Sequence, residues 1–143
     1  MVSLRRVPVF AFVFVVAIPL ACVLAGCAHG SDGARQAEAT ANAAIGAGYR
    51  SLNVYATAES KVIQEMAQAG NPAAAQEKLD ALRALSKKAF ATLDTASEGV
   101  DAVDAAIGIA EAAKSKDYSQ IVAKLLQIGA DVVNGLRTLG VKL

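Results

Sequence analysis

The chain has 143 residues with 14 basic and 13 acidic side chains, and its only cysteines are Cys22 and Cys27 near the amino terminus. Without Arg5 and Arg6, which belong to a segment expected to be removed, twelve basic and thirteen acidic side chains give a net charge near −1. This balance excludes an electrostatic attraction to nucleic acid, and the lack of later cysteines excludes a disulfide framework or a cysteine metal site.

The first element has the three parts of an export signal. Two arginines form the charged start, an apolar stretch covers residues 7–24, and the small residues Ala25 and Gly26 precede Cys27. The apolar stretch is long enough to cross a bilayer as an uncleaved anchor. Two prolines interrupt it, however, and no basic cluster follows it, which favours a signal that is cleaved.

Leu24, Ala25, Gly26 and Cys27 resemble the lipobox of bacterial lipoproteins at all four positions. The resemblance implies that Leu24, Ala25 and Gly26 are read by the lipoprotein signal peptidase, which cleaves before Cys27. It also implies a thioether lipid on Cys27. Several acyl chains at this residue would hold the protein stably on a membrane, which is the partner expected there. Lipoproteins of the inner membrane often carry Asp after this cysteine. In a Gram-negative host, Ala28 therefore favours the outer membrane, facing the periplasm.

The chain is expected to divide into a signal peptide (residues 1–26), a lipidated tether (residues 27–33) and one domain (residues 34–143). Alanine supplies 28 of the 117 residues from Cys27 onward, and Pro72 is the single proline among them. Alanine loses no side-chain entropy in a helix, and no strand-like alternation is present. The sequence predicts an all-α domain, an antiparallel bundle of three or four helices with coiled-coil-like seams.

The first predicted helix is capped by Asp32, begins near Ala34 and ends at Gly70. Its seam has heptad spacing and consists of Ala41, Ile45, Gly48, Leu52, Tyr55, Glu59, Val62, Met66 and Ala69. Glu59 alone breaks the apolar pattern. A residue of this kind most often reaches the edge of a bundle, and the alternative is a pair with a lysine of a neighbouring helix.

Two glycines, Gly46 and Gly48, lie inside this helix, where each costs roughly 1 kcal/mol. They either permit close approach of another helix or mark a frayed segment before Tyr49, and the second interpretation is preferred. The ordered bundle is then expected to begin nearer residue 49.

The second predicted element follows a short link, which makes it an antiparallel neighbour, with Asn71 as cap and Pro72 in the first turn. Its seam consists of Ala75, Leu79, Leu82, Ser86, Ala89, Leu93, Ala96, Val100, Val103, Ile107 and Ala110. One helix over residues 72–113 would measure about 63 Å. Basic residues precede acidic ones, an order that opposes its macrodipole and suits a second helix starting at Thr95, with Glu98 completing a capping box. Both versions stay open.

The last predicted helix is capped by Asp117 and ends at Gly140. Its broad apolar face consists of Tyr118, Ile121, Val122, Leu125, Ile128, Val132, Val133, Leu136 and Leu139. A face this wide must be covered by other helices, because helical stability comes mainly from tertiary burial.

Candidate functional residues are few. Asp94, Glu98 and Asp101 share a helix face and form a candidate partner surface, although a solvated face is the simpler interpretation. Calcium needs six to eight converging oxygens, which a straight helix does not supply. His29 is the only histidine and lies in the tether. We therefore expect no catalytic residues, no metal site and no cofactor apart from the covalent lipid.

The leading hypothesis is a membrane-anchored, non-catalytic helical module that binds an envelope protein or itself. One alternative is a phage- or prophage-derived lipoprotein in envelope lysis or superinfection exclusion. Another is a structural tether between membrane and peptidoglycan, which Lys142 suggests but which its non-terminal position weakens. No phosphate-binding glycine loop, HExxH or GxSxG motif is present, so neither an enzyme nor a small-molecule substrate is expected.

Overall fold

The computed structural model describes residues 30–141, which form three helices joined by two short connections. Helix α1 covers Ser31–Gln68, α2 covers Pro72–Ala112 and α3 covers Ser119–Thr138. All three pack against one another, and no strand occurs in the range that is described. The predicted all-α bundle is confirmed, with three helices. The predicted signal peptide, Cys27, His29 and Lys142 lie outside the described residues.

Helix α1 ends where the sequence predicts and begins earlier. Gly70 has φ +83°, and the Asn71 N–H donates to the Met66 carbonyl at 3.1 Å, the pattern of a glycine-terminated helix. At the other end Gly30, with φ +135°, occupies the N-cap position, so the predicted Asp32 cap is wrong. Asp32 lies in the first turn instead, where its charge still favours the helix dipole.

Helix α2 is continuous over its 41 residues, which decides between the two versions left open by the sequence. The charge order does not break it because the macrodipole acts only within the first and last turns. Lys78, the first basic residue, comes more than one turn after Pro72, so the basic half does not meet the positive end. Glu111 does lie in the last turn, but it is paired with a cation from α1.

Helix α3 ends at the glycine that the sequence indicates, but its N-cap residue is Tyr118 and not the predicted Asp117. The Asp117 carboxylate accepts the Ser119 N–H at 2.9 Å and thus satisfies one donor of the first turn. Gly140 has φ +80°, and the Val141 N–H donates to the Leu136 carbonyl at 3.1 Å. Because this hydrogen bond turns the chain back onto α3, Val141 is buried.

The core lies where all three helices run side by side. Its largest fully buried side chains are Leu52, Leu93, Val100, Ile107, Leu125, Val132, Leu136 and Val141. Four buried alanines of α1 add a flat face against which α3 rests: Ala34, Ala37, Ala41 and Ala44. Burial of these apolar side chains is the main source of stability in a bundle of this kind.

Helix α3 covers only half of the hairpin that α1 and α2 form. Its 20 residues measure about 30 Å, whereas α1 and α2 measure about 57 and 62 Å. Beyond Leu52 and before Ala89 the hairpin continues as two helices alone, and we call residues 53–88 the overhang. Of its residues only Ile63 and Ala75 are buried. Leu82, predicted as core, is half-buried because no third helix reaches it.

The surroundings of Gly48 show that the preferred interpretation of the two glycines, a frayed segment, is wrong. The helix is regular from Ser31 onward, and eight of the residues between 33 and 48 are buried, so this segment is not a frayed end. A Cβ on Gly48 would lie 2.6 Å from Leu93 Cδ2 and 2.8 Å from Leu136 Cδ1. Gly48 therefore serves close approach, the interpretation that the sequence alone left second.

Candidate functional site

The structure places the three predicted surface carboxylates on one exposed face of α2. Asp94, Glu98 and Asp101 are four and three residues apart, which aligns them along the helix, and all three are exposed. Asp104 continues the acidic row toward the carboxyl end of α2. The local fold that presents them is the regular continuation of α2 through residue 95.

Asp94 is already engaged by its own chain. The Tyr49 hydroxyl of α1 donates to Asp94 Oδ1 at 2.5 Å, and the Tyr49 ring lies 5.9 Å from the ring of Phe90. This hydrogen bond, together with partial burial and the negative charge of Asp94, raises the pKa of Tyr49 above its ordinary value. Asp94 therefore contributes to the packing of α1 on α2 as well as to surface charge.

Arg35 of α1 binds the far end of the acidic row. Its Nε and Nη2 donate to the two oxygens of Glu111 at 3.3 and 3.1 Å, a bidentate pair. Its Nη1 also binds Asp104 and, at 3.1 Å, Glu38. These bonds raise the pKa of Arg35 further, those to Glu111 and then Asp104 contributing most. Three carboxylates around one guanidinium leave that end of the bundle with excess negative charge.

Glu98 and Asp101 remain as the unengaged part of the predicted surface. Across residues 30–141 neither makes a hydrogen bond or an ion pair. In the same range no group of three or more His, Cys, Asp or Glu side chains is arranged to hold a metal ion. The predicted site is thus reduced to two neighbouring carboxylates available to a basic partner.

Sequence analysis missed Arg35, Tyr49 and Lys78 as partners across the hairpin. Lys78 Nζ lies 3.0 Å from Glu59 Oε2, so Glu59 makes the inter-helix pair that was the second interpretation of its position. A signal was present in the numbering. Once the hairpin turns at Gly70, facing residues of α1 and α2 have numbers that add to about 140, as 35 with 104 and 59 with 78 do.

A second candidate surface lies on the overhang, on the same side of the hairpin as α3. α3 contacts α1 at Gly48 and α2 at Thr92, whose Cγ2 would lie 2.9 Å from a Cβ on Gly135. Residues seven, eleven or eighteen positions further from α3 lie on the same helix faces. These residues define what we call the open groove: Tyr55, Glu59 and Met66 of α1, with Ala74, Ala81 and Leu85 of α2.

The open groove is mostly apolar, but Glu59 lies in its middle and is paired with Lys78 of α2. Tyr55, Met66 and Leu85 are half-buried, and the nearby Val62 is 38% exposed. Glu77, near the Gly70 turn, and Lys88, near the end of α3, are exposed residues of α2. Among the described side chains neither of these two charges has an ionic partner.

A smaller apolar crevice of about 210 Å³ runs between α1 and α3, lined by Thr40, Ala44, Leu126 and Val133 among others. Its volume is below the range of ordinary small-molecule sites, roughly 300–1,000 Å³. The polar groups at its rim are Thr40 and Asn134, and the Thr40 hydroxyl already donates to the Gln36 carbonyl at 2.9 Å. The crevice follows from the small residues that α1 presents to α3.

Comparison of this chain with protein-family models, with curated proteins and with solved structures finds no match. The helices between residues 30 and 141 include none with the length and apolar character that crossing a bilayer requires. The functional interpretation therefore depends on the amino-terminal motif and on the two surfaces described above.

Proposed function

We propose that this chain is a membrane-anchored lipoprotein of the cell envelope whose helical bundle is a non-catalytic module for binding protein. The lipid on Cys27 confines the bundle to the membrane surface, most simply the periplasmic face of the outer membrane. The binding activity resides in the overhang. The observation that carries this proposal is the open groove, a surface shaped for another helix that α3 does not reach.

The proposed anchor rests on the four residues from Leu24 to Cys27 and on the export signal before them. Helix α1 begins at Ser31, four residues after Cys27, so the folded part follows the proposed lipid site almost directly. Four residues extend at most about 14 Å. A bundle attached in this way stays within one short tether length of the lipid headgroups.

The proposed binding role rests on the physical cost of an uncovered groove. An apolar helix face is normally buried by another helix, as the same faces of α1 up to Leu52 and of α2 from Ala89 onward are buried under α3. Helix-in-groove recognition by apolar anchors at helical spacing is a common mode of protein binding. A protein helix is therefore the occupant whose shape fits the groove.

The proposed absence of catalysis rests on the side-chain chemistry available. Histidine and cysteine, the usual general base and the strongest nucleophile, occur in this chain only at His29, Cys22 and Cys27. The exposed carboxylates Glu98 and Asp101 lie on a convex helix face, which does not exclude water from a substrate. Surface contact is the chemistry that these residues support.

The test compares the anchored chain with an exported, anchor-free version that carries Cys27→Ala and a signal for ordinary cleavage. Both are expressed at equal abundance in the native host, and proteins associated with each are measured by in vivo cross-linking. We expect the anchored chain to capture its partner at least tenfold more efficiently, because tethering raises the effective concentration near other membrane-bound proteins.

A matched variant, Glu98→Gln with Asp101→Asn, tests the acidic surface without altering the groove. Capture by this variant is expected to fall by no more than a few-fold, since exposed charges contribute little to affinity. Equal capture by the anchored and anchor-free chains would contradict the tethered module. Turnover of a metabolite by the purified bundle, abolished by either carboxylate change, would replace it with an enzyme.

A further inference from the structure

We propose that a cavity between α2 and α3 binds a primary alkylammonium group, that is, an ammonium on a short aliphatic chain. We call it the α2–α3 cavity, and the residues that line it are Ala91, Thr92, Thr95 and Ala96 of α2 with Ile128, Asp131 and Val132 of α3. It belongs to the three-helix part of the bundle and not to the overhang. The inference therefore goes beyond the proposed function and does not depend on it.

The α2–α3 cavity has the size of a small-molecule site. Its volume is about 440 Å³, within the range of roughly 300–1,000 Å³ for such sites. The crevice between α1 and α3 has only about 210 Å³. The α2–α3 cavity is open to solvent on one side, so a ligand can enter it without a movement of the helices.

Two close contacts between the helices hold this cavity in shape. A Cβ on Gly135 would lie 2.9 Å from Thr92 Cγ2, and a Cβ on Gly99 would lie 3.1 Å from Ile128 Cδ1. The cavity lies between these two contacts, where α2 presents only alanine and threonine side chains to it. Because these side chains are too short to fill the space, the cavity is formed by the fold itself and exists before a ligand binds.

The polar groups of the cavity are available as hydrogen-bond acceptors. Gln127 donates to Asp131 Oδ1 at 2.8 Å, and within residues 30–141 the other oxygen of that carboxylate has no partner. Thr92 donates its hydroxyl proton to the Lys88 carbonyl at 3.0 Å, so its oxygen can only accept from a ligand. Thr95 makes no hydrogen bond in the same range. An ammonium group has three donors and no acceptor, so each of these groups suits it.

Charge and apolar surface favour the same ligand. Asp131 is the one charged residue among those that line the cavity, and it makes no ion pair in the described part of the chain. Its charge attracts a cation and repels a carboxylate or a phosphate. The apolar lining residues form a wall for an aliphatic chain: Ala91, Ala96, Ile128 and Val132. An apolar wall with a few polar groups is the usual composition of a small-molecule site.

NMR titration of the full-length chain tests the site. The chain is labelled at its isoleucine δ1-methyl groups, purified from its host and reconstituted in phosphatidylcholine nanodiscs. The probe is n-butylammonium, and the Ile128 methyl signal, assigned with Ile128→Val, reports the cavity. Ile63, which is buried in the overhang, reports unspecific effects. We expect a saturable shift at Ile128 with a Kd on the order of 1 mM, and no shift at Ile63.

Substitutions separate the charge of the cavity from its shape. Asp131→Asn keeps the shape and removes the charge, so n-butylammonium should bind about fivefold more weakly. Glu65→Gln changes the net charge equally on the exposed face of the overhang and should leave the affinity unchanged. Ala91→Leu places a larger side chain in the cavity and should abolish the shift. Because Ala91 is exposed, an unchanged thermal melt is expected, which shows that the fold is kept.

Two further probes identify the ligand chemistry. The neutral n-butanol has nearly the same size as n-butylammonium and should bind about fivefold more weakly, since it lacks the charge. Nα-acetyl-lysine methylamide carries the same alkylammonium chain on a peptide unit. Tighter binding of this probe than of n-butylammonium assigns the site to a peptide lysine, and weaker binding assigns it to a free amine.

Each outcome bears on the proposal. A saturable shift at Ile128 that Asp131→Asn weakens and Ala91→Leu removes supports the site. Absence of saturation up to about 50 mM, equal weakening by Glu65→Gln, or equal affinity for n-butanol overturns it. None of these results concerns the open groove, so the membrane-tethered binding module is tested separately, by the capture experiment.

Discussion

Residue 48 shows how much one missing side chain contributes to the packing of this bundle. Gly48 lies where a leucine from α2 and a leucine from α3 meet the backbone of α1, and both leucines are fully buried. The helix tolerates the lower propensity of glycine there because the alternative is a clash. Gly46, two residues earlier, has no such neighbours, since its nearest contact is the end of the Arg50 side chain at 3.9 Å.

The two glycines therefore predict opposite effects of alanine. Gly48→Ala is expected to lower the free energy of unfolding by about 1–3 kcal/mol, the usual cost of overpacking. Gly46→Ala is expected to raise it by up to about 1 kcal/mol through helix propensity. Urea denaturation followed by circular dichroism measures both. A shift of the same sign in the two variants would show that residue 48 does not form the three-helix contact.

Tyr49 gives a prediction in pH. Its pKa is raised mainly by the hydrogen bond to Asp94, so this bond stabilises the fold below the ordinary tyrosine pKa and is lost as pH rises through the higher folded value. In Asp94→Asn the negative acceptor is gone, and the pKa of Tyr49 should move back toward its ordinary range. NMR titration of ring-labelled tyrosine, assigned with Tyr49→Phe, measures the difference. Superimposable curves for the two chains would refute the assigned cause.

At the scale of the elements, the seam of α2 keeps one heptad spacing along its whole length, but its burial differs between the two halves of the helix. Leu82 and Leu93 both belong to the heptad seam, yet Leu93 is fully buried and Leu82 only half-buried. The heptad pattern records which side faces α1, and it is correct about that along the whole helix. It does not record whether a third helix is present, because that depends on where α3 ends.

This difference in burial predicts that the same substitution lowers the free energy of unfolding by different amounts at the two leucines. Leu93→Asp places an uncompensated carboxylate in the three-helix core and is expected to cost at least about 3 kcal/mol or to prevent folding. Leu82→Asp leaves its carboxylate within reach of water and is expected to cost less than half as much. Thermal unfolding of the two variants gives the comparison. Equal destabilisation would mean that the overhang is covered in the isolated chain.

Several elements were predictable because local chemistry determines them. Gly70 and Gly140 end their helices in the left-handed conformation, and Pro72 starts α2, each as the sequence predicts. The continuity of α2 was not predictable from its charges, since dipole effects are weak away from helix ends. The acidic residues share one face of α2, as the sequence predicts. Their partners within the chain were not predicted, because Tyr49 and Arg35 come from another helix.

At the scale of the whole molecule, the unequal lengths of the predicted helices already implied the open groove. The last predicted helix is about half as long as the other two, and this alone implies that one end of the hairpin lacks a third helix. The sequence does not show which side of the hairpin the short helix takes. That choice follows from small residues such as Gly48, and its consequence is a groove on the same side.

Processing of the amino terminus is predicted for the whole chain. Wild-type protein from the native host should have lost residues 1–26 and gained the mass of a lipid at Cys27. Cys27→Ser should leave the precursor at its full mass, because the peptidase acts on the lipidated cysteine. Mass spectrometry of the two chains measures this. A wild-type chain that still begins at Met1 and carries no lipid would remove the anchor from the proposed function.

The early start of α1 has a consequence for geometry at the membrane. For a chain held at Cys27, Ser31 marks the attached end, and the Gly70 turn lies about 57 Å away along α1. A hairpin that stands upright on the bilayer therefore presents the overhang at its greatest distance from the lipid headgroups. A hairpin that lies flat instead keeps the whole overhang against the lipid surface.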